Sequence, residues 1–217
     1  MAAEPITQDG VYERLHEAIV TGRLQPNQRL VEVDLTESLG ASRSSVRTAL
    51  VRLAHDGLVV HERNRGARVR MVDVDEAVEI IEARRVLEGL AAAAAATHAT
   101  KRDVTELRSI LREMRSLLDA GDLLAVSDQN GELHRRILAT SGHRTTIRLI
   151  EGLNSQIVRF QFRTILVPGR SERSFEEHST IVDAIAGHDP EAAEAAMRGH
   201  LAHVADALRQ RASDRAI

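Results

Sequence analysis

The sequence predicts a mainly α-helical protein in two parts: three short helices with a β-ribbon, then a bundle of six longer helices. Apolar residues recur three and four positions apart through most of the chain, the spacing that gives a helix one buried face. Residues 58–71 break that rhythm, with two short valine-containing runs around a polar turn. Charge is concentrated in the same stretch. Residues 42–70 carry seven arginines against Asp56 and Glu62, on a chain of net charge −3. The boundary between the parts is placed between residues 72 and 73, giving units 1–72 and 73–217.

In the first unit, Val11, Leu15 and Ile19 share one helix face, and Thr21-Gly22 ends that helix. Pro26-Asn27 marks a turn. A second helix covers about 33–39 and closes at Gly40. Ser42 stands at the N-cap of a third, which runs to about Asp56 with Val46, Ala49, Leu50 and Leu53 as its apolar seam. Gly57 stops it. Residues 58–60 and 67–71 read as a two-stranded ribbon joined by Glu62-Arg63-Asn64-Arg65-Gly66. Three helices and a ribbon in this order make a winged helix-turn-helix plan.

In the second unit, helices are expected at 74–98, 101–120, 122–140, 144–166, 171–186 and 190–212. The second of these repeats Val104, Leu107, Leu111, Met114 and Leu118 as a regular seam. Breaks fall at Gly121, Ser141-Gly142, Pro168-Gly169 and Gly187-His188-Asp189-Pro190. The Ala91–Ala96 run suits close helix packing, since alanine is the best helix former. Together these helices predict an antiparallel six-helix bundle.

Composition removes several functions. Without cysteine there is no disulfide, thiolate metal site or cysteine nucleophile. One Tyr, three Phe and no Trp are too few for single-strand binding by base stacking. The sequence holds no P-loop, dinucleotide glycine fingerprint or nucleophile elbow, so an enzyme is not expected. No apolar run approaches a membrane span and no signal-peptide pattern opens the chain, which leads to the expectation of a cytoplasmic, nucleoid-associated protein.

The basic segment has the arrangement that reads a duplex. At 100° per residue, Arg43, Ser44, Arg47 and Thr48 point away from the Val46/Leu50/Leu53 seam. Arginine can pair in bidentate fashion with guanine in the major groove, and serine or threonine can reach bases or phosphates. The free N–H groups at the helix start, beside Ser42 and Ser45, add a phosphate site. Arg65-Gly66 at the ribbon tip can follow the backbone or enter the minor groove. A solvated arginine face is the alternative for any single pair. The neighbouring turn, seam and basic wing together favour DNA.

Residues 7–70 resemble the DNA-binding domain of the GntR family of bacterial transcription regulators. The likeness runs through Ala18-Ile19-Val20-Thr21-Gly22-Arg23-Leu24-Gln25-Pro26, Leu39-Gly40-Ala41-Ser42-Arg43 and Val46-Arg47-Thr48-Ala49-Leu50. It continues through Arg52-Leu53, Asp56-Gly57-Leu58 and Arg65-Gly66-Ala67-Arg68-Val69. Asn27 and Ser45 stand where the family usually has Gly and Pro. The resemblance implies a homodimer on a short palindromic operator, contacted through Arg43, Arg47, the adjacent serines and the wing.

In the helical unit, several polar groups fall on apolar faces. Asn130 and His134 lie on the side of Leu133 and Ile137. His178 lies among Phe175, Ile181, Val182 and Ile185, and His200 among Ala193, Met197, Val204 and Leu208. A buried polar group is costly without a partner. Three imidazoles turned into one bundle can satisfy one another through a divalent metal, zinc or nickel foremost. The alternative for each is a hydrogen-bonded core histidine. His98, His143 and His188 are expected in solvent, and His203 is a reserve ligand. Arg84, among Ile80, Ile81 and Leu87, can clamp an effector carboxylate or pair with Glu88 four residues on. Asn154 and Gln161 project to the apolar side of their helix and can line the same pocket.

Residues 74–212 resemble the ligand-binding domain of the FadR-type subgroup in its FCD form. The marks are Glu82-Ala83-Arg84-Arg85-Val86-Leu87-Glu88-Gly89-Leu90, Leu133-His134-Arg135, Ser141-Gly142, Glu176-Glu177-His178, Ala184-Ile185-Ala186-Gly187-His188-Asp189 and Met197-Arg198-Gly199-His200-Leu201. The resemblance implies a sensor of small organic acids with one Asp and three His metal ligands. Carried onto this chain, the ligands are His134, His178, His200 and, in place of the Asp, Asn130. An amide oxygen can ligate but brings no charge, so metal affinity drops. Three readings follow: a metal-assisted, effector-responsive repressor, a regulator with a metal-free effector pocket, and an all-α metalloenzyme.

Overall fold

The computed structural model describes the backbone of residues 6–62, 66–165 and 167–213, and their side chains apart from 158–165 and 211–213. The chain divides into two compact units, Met1–Val72 and Asp73–Ile217.

The first unit contains α1 (Gln8–Val20), β1 (Arg29–Leu30), α2 (Glu32–Leu39), α3 (Arg43–His55), β2 (Val59–Glu62) and β3 (Gly66–Val69). Val11, Leu15 and Ile19 of α1 meet Val46, Ala49, Leu50 and Leu53 of α3 in one core, joined by Leu30, Leu58, Ala67 and Val69. Tyr12 ties the same helices at their polar rim by donating to Asp56 Oδ2 at 2.7 Å. Burial first, then the Asp56 carboxylate, push the Tyr12 hydroxyl up to about 12.

The ribbon is a three-stranded antiparallel sheet, in the order β1-β3-β2. The expected two-stranded ribbon is therefore incomplete. Arg29 pairs with Arg68 and Leu30 with Ala67, adding a strand too short to show a period. Strand bounds also shift: Leu58 precedes β2, and β3 ends at Val69. Asn27 has φ +62°, a left-handed conformation that suits glycine and, next to it, asparagine. That accounts for asparagine standing where the family usually has glycine.

The second unit contains α4 (Val74–His98), α5 (Lys101–Asp119), α6 (Leu123–Ser141), α7 (Arg144–Ile165), α8 (Arg170–Ala186) and α9 (Pro190–Ser213). Side chains cap the starts that bear on the site. Asp73 accepts from Glu76 N at 2.8 Å, Thr100 and Asp103 form a capping box, and Asp122 accepts from Ala125 N at 3.1 Å. The central α4 packs on α6, α7, α8 and α9. Ala91, Ala92, Ala95 and Ala96 are fully buried, so small side chains bring neighbouring backbones close. Among the described residues, no helix is long and apolar enough to cross a membrane.

Candidate metal centre and nucleic-acid interface

The N-terminus of α3 is built by its cap. Ser42 accepts from Ser45 N at 3.1 Å, and its hydroxyl lies 2.8 Å from that of Ser44 and 2.9 Å from that of Ser45. Ser42, Arg43, Ser44 and Arg47 are exposed, while Ser45 and Thr48 are half-buried. Thr48 is thus partly turned into the domain, where the helical wheel placed it outward. Arg47 makes a forked ion pair with Glu32 of α2, Nε to Oε1 at 3.3 Å and Nη2 to Oε2 at 2.9 Å. Hydrogen bonding from Arg47 holds the Glu32 carboxyl below its usual range, with Arg43 adding charge. Gly66 is exposed at φ +86°, a conformation that favours glycine. Arg65 lies outside the described residues.

In the helical unit, α6, α8 and α9 bring His134, His178 and His200 together. Their exposures are 6 %, 1 % and 3 %. His178 Nε2 lies 3.3 Å from His134 Nε2 and 3.3 Å from His200 Nε2. The outer nitrogens of two rings are held by carboxylates. His134 Nδ1 is 2.5 Å from Glu88 Oε2, and His200 Nδ1 is 2.7 Å from Glu177 Oε2. A carboxylate accepts, so these Nδ1 atoms carry protons, and in the neutral tautomer that this selects the lone pair is on the inward Nε2. His178 Nε2 can offer at most one proton to those two lone pairs, and among the described residues its Nδ1 has no hydrogen-bond partner.

Burial foremost, with the neighbouring imidazoles and Arg170 adding to it, pushes His178 well below the usual histidine range. Burial, His134 and Arg170 do the same to His200. Burial opposes ionisation of Glu88, but the Arg84 charge and His134 outweigh it and hold the carboxyl at about 2. His178 and His200 are therefore held towards the neutral form, and Glu88 and Glu177 orient the rings on either side of His178, an arrangement suited to a cation. Tetrahedral zinc with bonds near 2.0–2.1 Å sets nitrogen ligands about 3.3–3.4 Å apart, which matches the two Nε2 separations. The donor set fits a divalent metal.

The other sequence candidates divide. Asn130, one turn before His134, is half-buried, and among the described residues no hydrogen bond joins it to the triad. Arg84 is buried and its guanidinium engages Glu88, Nε donating to Oε1 at 2.7 Å. Of its two readings, the structure displays the ion pair. Asn154 is half-buried, and among the described residues its Oδ1 has no hydrogen-bond partner. The side chain of Gln161 lies outside the described residues. His203, the reserve, stands outside the triad: it is half-exposed and its Nδ1 lies 2.8 Å from Glu177 Oε1. His98, His143 and His188 are exposed, and the Nδ1 atoms of His98 and His188 lie 3.2 Å from Ser141 O and 2.9 Å from Ala96 O. His143 Nδ1 lies 2.9 Å from the Thr146 hydroxyl.

Sequence reasoning overlooked Glu177 and Arg170. Glu177 precedes His178 by one residue, so a single turn of α8 carries both a ring and the carboxylate that orients another ring. That adjacency was the available signal.

A helix-turn-helix reader and an all-helical unit around a buried polar cluster define a DNA-binding regulator with a sensor domain. The comparisons agree. A family model described as "Bacterial regulatory proteins, gntR family" matches residues 7–69, and one described as "FCD domain" matches residues 79–203. The "Probable D-xylose utilization operon transcriptional repressor" of Paenarthrobacter nicotinovorans is 30 % identical over 188 residues, covering 85 % of this chain and 80 % of that protein. The "HTH-type transcriptional regulator LutR" of Bacillus subtilis (strain 168) is 28 % identical over 211 residues, covering 88 % and 95 %. The solved structure of E. coli McbR/YncC has the same fold, with a TM-score of 0.75 at 23 % identity, covering 94 % of this chain and 97 % of that one. The chain belongs to the GntR family of transcription regulators and carries the FCD domain. Its relatives are regulators, not enzymes.

Proposed function

We propose that this protein is a homodimeric repressor whose affinity for a palindromic operator, within the cytoplasm, is controlled by a small organic acid bound beside a divalent metal. The supporting observation is the meeting of three buried imidazole Nε2 atoms, two of them backed by carboxylates. His134, His178 and His200 would hold zinc or nickel. When bound, the metal would supply open positions for carboxylate and hydroxyl oxygens. Glu88 and Glu177 keep two rings in the ligating tautomer. Asn154 lends an unpaired acceptor to the effector pocket, and Gln161 and Arg84 are proposed to line it. Arg84 can reach an effector carboxylate only by sharing its guanidinium with Glu88.

In the DNA-binding unit, Arg43 and Arg47 would read base edges. Ser42, Ser44, Ser45 and Thr48 would hold phosphates or bases at the helix start, and Arg65-Gly66 would follow the backbone. Effector and operator are then coupled through one free energy, so each changes the affinity of the other by the same factor.

The test is elemental analysis of untagged protein purified without chelator, followed by operator binding with and without candidate hydroxy and keto acids. About one metal per chain and acid-dependent release of operator are expected. The half-buried Asn130, with no bond to the triad, favours a second reading: a regulator whose acid is held without metal. Metal-free protein that still releases operator on adding acid would establish that reading.

A further inference from the structure

Where α8 begins, beside the last turns of α9, a notch of about 380 Å³ is lined by Gly169, Arg170, Arg173, His203, Asp206 and Gln210, among others. Its size falls within the range of small-ligand pockets. Among the described residues no side-chain hydrogen bond caps α8, which starts from Gly169 at φ +74°; the Arg170 and Arg173 N–H groups donate to Val167 O at 3.0 Å and Gly169 O at 3.2 Å. A helix start alone is not a site. Here a second feature stands beside it.

Arg170 is 7 % exposed and lines the notch. Its Nη2 lies 3.0 Å from Glu177 Oε2, yet among the described residues none of its guanidinium nitrogens has an aligned hydrogen bond. Glu177 Oε2, which also faces His200 Nδ1, lies near one nitrogen of Arg170 only, so Nε and Nη1 are left with no acceptor among the described residues. A buried guanidinium with unused donors is costly unless an acceptor reaches it. Arg173 adds exposed positive charge at the same wall. Asp206, the one carboxylate among the described residues that line the notch, is paired with Arg209 Nη1 at 2.9 Å. Gln210 can donate to or accept from a hydroxyl.

We propose that this notch binds a small oxyanion, a carboxylate or phosphate group, through Arg170 and Arg173. The site is distinct from the pocket at the imidazole triad and does not depend on a metal there. Glu177 stands between the two, touching Arg170 and His203 on one side and His200 on the other.

The test is calorimetric titration of the full chain with inorganic phosphate and, separately, with malate. Each is run on protein stripped of metal by a chelating resin and on protein reloaded with zinc. Saturable binding of at least one anion, near one per chain and within a few-fold between stripped and reloaded protein, is expected. Phosphate alone or malate alone identifies which oxyanion source the notch accepts. Arg170→Gln should abolish the binding, and Arg173→Ala, at an exposed position that folding does not need, should weaken it roughly tenfold. No saturable heat with either anion overturns the proposal. So does binding that ignores Arg173→Ala in folded protein, or that appears only after zinc is added, since the anion would then sit on the triad.

Discussion

At the start of α3, the Arg43 and Arg47 side chains and the hydroxyls of Ser42 and Ser44 stand at the surface over a fully apolar seam of Val46, Ala49, Leu50 and Leu53. In the helical unit the polarity is reversed: His134, His178, His200, Glu88 and Arg84 lie inside, among residues such as Leu133, Ile181 and Met197. The two regions solve different problems. A surface that meets DNA keeps its charges hydrated until the phosphate backbone replaces water, so its ion pairs are exposed and exchangeable. A buried cluster has no water to fall back on, so every charge in it must have a partner. Mutations should therefore be abrupt in the triad and graded on α3.

The largest expected effect is at the centre of the triad. His178→Ala should remove stoichiometric metal, as read by elemental analysis, while leaving sequence-selective duplex binding by α3 measurable. Glu88→Gln should weaken metal about 10- to 100-fold by loosening the His134 tautomer, as followed by competition with a chromophoric chelator. It also leaves Arg84 buried beside a neutral amide, so a lower urea midpoint is expected with it.

On α3, Arg43→Ala should weaken the specific operator by roughly ten- to a hundredfold and relax discrimination at one base pair, as seen in gel-shift titrations with substituted operators. Protonation offers a further contrast. The folded pKa values of His178 and His200 lie below the ordinary value of 6.5, so the unfolded chain binds more protons as pH falls through that region. Stability of metal-free protein should thus be intact above pH 6.5 and decline below it. Glu88, depressed from 4.5 to about 2, adds a further loss as pH drops below 4.5. Urea midpoints measured across that range check the sign.

The smallest effect is expected at Glu32→Ala, which frees the exposed Arg47 from its ion pair and removes a negative charge beside it. Duplex binding should tighten severalfold at low salt and show a steeper salt dependence, because an added cation releases an added counterion. Unchanged affinity would mean that Arg47 stays clear of the phosphates.

The helices were readable from sequence because each depends on local terms: 3.6-residue periodicity, caps such as Ser42, Asp73 and Thr100, and stops such as Gly40 and Gly142. The faces carrying His134, His178 and His200 were readable for the same reason. Strand β1 was not, since Arg29-Leu30 is a strand only because β3 pairs with it. Nor could sequence show that Glu177 is shared by His200, His203 and Arg170, or that Glu88 serves both Arg84 and His134. Periodicity says which side of a helix is buried. Which buried atoms meet is set by the packing of α4, α6, α8 and α9 against one another, and their contacts join residues as far apart as Glu88 and His134 or His178 and His200.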